Sequence, residues 1–171
     1  MFLTLRLDRQ QVKCFYQCPI DRICLIILQL SLLDNLAIAQ VIPDNTLPNN
    51  SQVIQNGDIF TINGGTTARQ NIFHSFQEFS VSTETEAYFN NPETINNIIT
   101  RITGANLSHI DGLIRANGNA NLFLINPNGI SFCPNAQLEI GGSCIASTAD
   151  QLLFNDVSGF LVPKTQKHHH C

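Results

Sequence analysis

The chain has 171 residues, is 43% apolar and only 13% charged, and carries a formal net charge of −4. That length suits one domain. The apolar content excludes a disordered tail, and the lack of a Lys/Arg-rich stretch excludes a nucleic-acid binder that neutralises phosphates. The charge is replaced by Asn, together with Thr, Ile and Gly, a composition that favours β-structure with tight turns.

The first element in the chain is a leader. Arg6, Arg9, Lys13 and Arg22 precede the apolar run Ile23–Leu33, which is shorter than the roughly 20 residues a helix needs to span a bilayer. Ala37-Ile38-Ala39 follows as an A-x-A site. Together these features predict a secretory signal peptide over residues 1–39, cut between Ala39 and Gln40, so that the chain meets the membrane only during export. Cys14, Cys18 and Cys24 leave with it. Cys133, Cys144 and Cys171 remain, with no close C-x-x-C pair for zinc or redox chemistry. Cys133 and Cys144 are expected to be small buried hydrophobes rather than a disulfide.

In the mature body, Val41 to Ser51 holds two prolines and several Asn and reads as an extended lead-in. Gln52-Val53-Ile54 and Ile59-Phe60-Thr61-Ile62 flank Asn56-Gly57, which predicts a hairpin with that dipeptide as its turn. Phe73, Phe76 and Phe79 recur every third residue, but Ser and Thr flank them and favour strand and loop. Ala87-Tyr88-Phe89 is a short apolar stretch stopped by Asn90-Asn91-Pro92. In 94–104, Ile95, Ile98, Ile99 and Ile102 have helical spacing. Ile, Thr and Asn disfavour a helix there, so strand is expected for most of its length.

From Gly104 onward, short strands are each ended by turn residues. Gly112–Ala116 ends at Asn117-Gly118, and Asn121–Ile125 at Asn126-Pro127-Asn128-Gly129. Ile130–Phe132, Gln137–Ile140 and Ser143–Ser147 follow. Such spacing suits a sandwich, a barrel or a solenoid. Strands this short bury little alone, so rungs stacked in register are favoured, with repeated Asn turns able to form hydrogen-bonded ladders.

Several blocks resemble a known family. Ile98-Ile99-Thr100-Arg101-Ile102-Thr103-Gly104, Ile110-Asp111-Gly112-Leu113-Ile114 and Ile125-Asn126-Pro127-Asn128-Gly129-Ile130 are similar to the amino-terminal secretion domain of filamentous haemagglutinin-like, two-partner secretion exoproteins. Asn71–Val81 and Pro134–Ser143 match the same domain in its cyanobacterial form. The resemblance covers about residues 42–155. It implies an all-β, right-handed parallel β-helix with a β-capped amino end, occupying 40–160. It also implies export to the periplasm and recognition by the POTRA domains of an outer-membrane barrel transporter, after which an adhesin-like cargo follows to the surface. Asn126, Pro127, Asn128, Gly129 and Ile130 match the family's second signature and are the candidate recognition residues. The first signature, Asn-Pro-Asn-Leu, has no faithful copy, and Asn90-Asn91-Pro92-Glu93 is its nearest echo. The segment 161–171 shares no pattern with the body and reads as an unstructured tail, from a truncated or frameshifted end.

No catalytic, cofactor or metal residues are expected. His74 and His109 are isolated, with structural polar roles. Asp111 and Arg115 are read as solvated, or as a weak surface pair. His168-His169-His170-Cys171 offers soft ligands, but adjacent ligands on a tail do not close a defined site. Two other readings stay open: a binding module held in the cell envelope without cargo, and a polysaccharide-acting β-helix enzyme. Behaviour with and without a partner barrel separates the first from secretion, and an uronate-release assay tests the second.

Overall fold

The computed structural model describes residues 40–153 and 159–161. The expected leader, with Ala37 and Ala39, lies outside the described residues, as does the segment 162–171 with its His168-His169-His170-Cys171 run. Every regular element among the described residues is a strand. In chain order these are β1 Gln40–Pro43, β2 Ser51–Asn56, β3 Ile59–Gly64, β4 Thr66–Ala68, β5 Asn71–Ser80, β6 Glu86–Phe89, β7 Asn97–Ile102 and β8 Ser108–Ile110. There follow β9 Leu113–Ala116, β10 Asn121–Ile125, β11 Ile130–Phe132, β12 Gln137–Glu139, β13 Cys144–Ser147, β14 Gln151–Leu153 and β15 Gly159–Leu161.

The strands coil into a β-solenoid. One long sheet runs β1-β5-β7-β10-β13, a second runs β12-β9-β6-β3-β2, and β8 pairs with β11 on a third face. Pairing along the stack from β5 to β13 and from β3 to β12 is parallel and in register. The amino end is different: β1 and β4 pair antiparallel with β5, and β2 pairs antiparallel with β3. These strands form the β-cap that the resemblance implied.

Register turns short apolar stretches into continuous columns. Ile72, Ile98, Leu122 and Cys144 stand above one another inside the solenoid, as do Phe60, Ala87, Ile114 and Leu138. The columns are buried until the last coil, where Leu138 is 44% exposed. Beside them, Phe76, Phe79, Phe89 and His74 pack with centroids 5.3–6.1 Å apart, the range of favourable ring contacts.

Asparagine ladders brace the turns, as the sequence suggested. Asn97 Nδ2 donates to Asn71 Oδ1 at 2.8 Å, across 26 residues, and Asn121 Nδ2 donates to Asn97 Oδ1 at 2.9 Å, across 24. A second ladder links Asn117 to Asn90 and Asn90 to Asn63. Stacked amides satisfy groups that would otherwise be lost to solvent at every coil.

The long sheet is covered on both faces, which explains why Leu122–Ile125 is apolar throughout. Leu47, Phe73, Phe123 and Leu152 pack over Ile99 and Ile125 on its outer side. A polar clamp fixes the lead-in segment there. Asp44 accepts hydrogen bonds from Ser75 Oγ at 2.7 Å and Thr103 Oγ1 at 2.6 Å. Arg101 donates to Ser75 Oγ at 2.9 Å and Thr46 Oγ1 at 2.8 Å. Burial works to raise the Asp44 pKa, but the hydrogen bonds from Thr103, Thr46 and Ser75 outweigh it and hold the carboxyl below its usual range.

Several expectations are corrected. The hairpin turn is Gly57-Asp58, not Asn56-Gly57, because the register pairs Asn56 with Ile59. Gly57 takes the positive φ of 58° at the first turn position. The phenylalanine stretch is strand, as expected, and it runs unbroken over ten residues as β5. Arg115 does not pair with Asp111. Its guanidinium lies 2.5 Å from Glu86 Oε1 and 4.0 Å from the Tyr88 ring centroid, while Asp111 accepts from Thr83 and Asn135. Cys133 and Cys144 are free thiols, as expected, but half-buried rather than buried. Desolvation pushes the Cys144 thiol pKa up.

One buried group is left unmatched. Thr100 Oγ1 has no hydrogen-bond partner and the residue is fully buried. An unpaired buried hydroxyl costs about 1–3 kcal/mol, whereas an apolar group of the same shape does not. Thr100→Val should therefore raise the unfolding free energy by about 1 kcal/mol, measured by urea denaturation.

Candidate functional site

The expected recognition residues follow directly on β10. Ile125 closes the strand on the outer apolar cluster, and Asn126 turns the chain inward. Asn126 is fully buried. Its Nδ2 donates to the Asn106 carbonyl at 3.0 Å and to Ser108 Oγ at 2.9 Å. Its Oδ1 accepts from the Asn128 backbone N–H at 2.9 Å and from Asn128 Nδ2 at 3.3 Å. Both donors and both acceptor positions of the carboxamide are thus used. The backbone is engaged as well: the Asn126 N–H donates to the Ser147 carbonyl at 3.0 Å, and its carbonyl accepts from the Gly129 N–H at 3.0 Å. Asn126 ties the turn to the coil before it and the coil after it.

The rest of the turn divides by exposure. Pro127, Gly129 and Ile130 are half-buried and Asn128 is exposed. Gly129 has φ of 118°, and a Cβ there would lie 2.9 Å from Leu107 Cδ1. Only glycine adopts that backbone without strain. Ile130 packs against the main core. Asn128 Nδ2 reaches back to the Gly104 carbonyl at 2.8 Å. Its Oδ1 accepts no hydrogen bond from the described residues, and the residue is exposed.

Sequence reasoning missed the platform under this turn. The loop Gly104-Ala105-Asn106-Leu107 occupies the same corner one coil earlier, because Ser108 pairs with Ile130. Leu107 is 38% exposed beside Gly129, and Asn106 Nδ2 donates to Glu78 Oε1 at 2.8 Å. The signal was present as a coil period: counting back one rung from Ile130 finds this loop. Asn91, in the echo of the first signature, has a similar post. It is buried, accepts from the Asn117 N–H at 3.0 Å and donates to the Asn117 carbonyl at 3.2 Å.

The remaining candidates do not converge on this corner. Gln40 begins β1 and is exposed. His109 is exposed on β8. His74 is buried and its Nδ1 lies 2.9 Å from Ser51 Oγ. Ser51 is also buried, so this Ser–His contact is part of the packed interior. Desolvation lowers the His74 pKa to about 4, so the ring is neutral at pH 7.

A stacked, Asn-braced solenoid with an antiparallel amino cap and a structured Asn-Pro-Asn-Gly turn is now matched by comparison with known proteins. A family model for the TPS secretion domain matches residues 39–169. The chain belongs to the TPS secretion domain family. It is 33% identical over 94 residues to the heme/hemopexin-binding protein of Haemophilus influenzae, an alignment that covers 55% of this chain and 10% of that protein. The TPS domain is the secretion and targeting domain of a two-partner secretion exoprotein. TPS domains as a class are recognised by outer-membrane transporters, and their exoproteins travel through the periplasm to the cell surface or beyond.

Proposed function

We propose that this TPS domain is a non-enzymatic export signal and that the turn Asn126–Ile130 is the part its outer-membrane barrel transporter reads. The leader delivers it to the periplasm, where the transporter's POTRA domains take hold of it ahead of an adhesin-like remainder. Within the turn, Pro127 and Asn128 offer the contact, and Asn126, Gly129 and Ile130 hold it in shape. One observation carries this reading: the exposed Asn128 amide, whose Oδ1 accepts no hydrogen bond from the described residues, is fixed on a fully satisfied Asn126. A rigid turn that presents an uncommitted acceptor is preorganised for a partner.

The test separates recognition from folding. Asn128→Ala removes an exposed side chain and should change stability by no more than about 1 kcal/mol. Asn126→Ala strands buried groups in Asn106, Ser108 and Asn128, and should cost about 2–3 kcal/mol. Secreted fraction and thermal unfolding are measured for both variants. Loss of export by Asn128→Ala at a near-native melting temperature is the expected result. Normal export of that variant, or unfolding as severe as that of Asn126→Ala, would defeat the reading.

A further inference from the structure

Among the described residues, β1 and β2 end their sheets at the amino-terminal cap, and the β2 edge carries no further strand. β2 is the last strand of the second sheet, and Gln52, Ile54, Gln55 and Asn56 on it are exposed. Ile54, at 61%, is the most exposed large apolar residue among the described residues. Soluble proteins blunt such edges with charge, proline, a bulge or a cover. Ser51-Gln52-Val53-Ile54-Gln55-Asn56 has no charged residue and no proline, and its register with β3 runs without a shift. An uncharged, regular six-residue edge is a template for another strand.

We propose that β2 pairs antiparallel with β2 of a second copy, about a two-fold axis through Ile54. The register follows from the hairpin. A two-residue loop closes on a hydrogen-bonded pair, here Asn56 with Ile59, and bonding to β3 alternates from there. The backbone groups of Val53 and Gln55 therefore point to the open side. Directly opposed residues must also share a sheet face. Ile54 then meets Ile54 of the second copy at a non-hydrogen-bonded position, where side chains approach closest. Val53 exchanges backbone bonds with Gln55 of the second copy, and Gln52 faces Asn56. The segment is thus its own complement, as a two-fold interface requires.

Charge agrees with this occupant. The protein is acidic overall, which keeps copies apart elsewhere, but the edge itself is neutral. Continuing the register sets Asp58 of one copy beside Asn50 of the other, so no like charges meet. One strand pair is a small interface, so the association is weak and reversible.

Sedimentation of the full chain across a concentration series tests this. The wild type should shift from monomer toward twice the monomer mass as concentration rises. Ile54→Lys should remain monomeric at every concentration with an unchanged melting temperature. Gln55→Pro, which removes an outward N–H but no bond to β3, should do the same. Leu138→Lys, at the opposite end of the solenoid, should still dimerise. A wild type that stays monomeric throughout overturns the proposal, as does a dimer lost in Leu138→Lys but kept in Ile54→Lys.

Discussion

Phe76→Ala should cost about 3–5 kcal/mol, the usual loss when a fully buried phenylalanine is truncated in a core that cannot collapse around the gap. Phe76 has no exposed surface. It stands at 5.3 Å from Phe79 and 6.1 Å from His74, ring to ring, and its backbone pairs with Ile102 of the next coil. Parallel register fixes those neighbours along the stack, so no single side chain can swing in to fill the space. Since a domain is held by only about 5–15 kcal/mol, the variant should unfold at much lower urea than wild type. A loss below about 1 kcal/mol would mean that the aromatic cluster is not packed as described.

Acid should weaken the fold through a buried histidine. Buried His74 has its pKa lowered to about 4 from 6.5 by desolvation. In the unfolded chain the ring takes up a proton as pH falls through 6.5, and in the folded chain it does not until about 4. The unfolded state therefore binds more protons across that window, and stability falls with pH. The contribution is complete above pH 6.5, is lost progressively down to about 4 and is flat below that. The difference amounts to about 3 kcal/mol. Asp44 adds a further loss at lower pH, because its carboxyl is held below the usual range when folded and must protonate for the clamp to Ser75 and Thr103 to let go. Urea titrations at pH 7.5 and pH 4.5 measure the histidine contribution. Equal unfolding free energies at the two values would show that His74 is not buried neutral.

Much of the fold is legible in the sequence because turn chemistry punctuates it. Asn121–Ile125 and Ile130–Phe132 stand in the structure with the bounds their flanking turn residues suggested. In 94–104 the helical spacing of Ile95, Ile98, Ile99 and Ile102 is real, but the strand Asn97–Ile102 forms. Three of these isoleucines pair or pack within a sheet buried on both faces, while Ile95 packs inward from the preceding turn. Tertiary burial outweighs the period there. β4 and β8 were not legible: Thr66–Ala68 and Ser108–Ile110 are too short to show alternation, and only pairing with a longer neighbour makes them strands.

The candidate site was half legible. Asn126-Pro127-Asn128-Gly129 announces a turn through its residue types. It does not announce that Asn126 is buried, since that depends on Asn106, Ser108 and Ser147 arriving at the same corner from adjacent coils. The pairing of Arg115 with Glu86 was hidden for the same reason, being set by a stacking period and not by neighbours in sequence.

The most direct measurement is the secreted fraction of this chain in cells that carry its partner outer-membrane transporter and in cells from which that transporter has been deleted. The account predicts that folded-state stability of the purified protein is irrelevant to the difference: the chain reaches the medium or cell surface with the transporter and accumulates in the periplasm without it. Equal secretion from the two strains would contradict it.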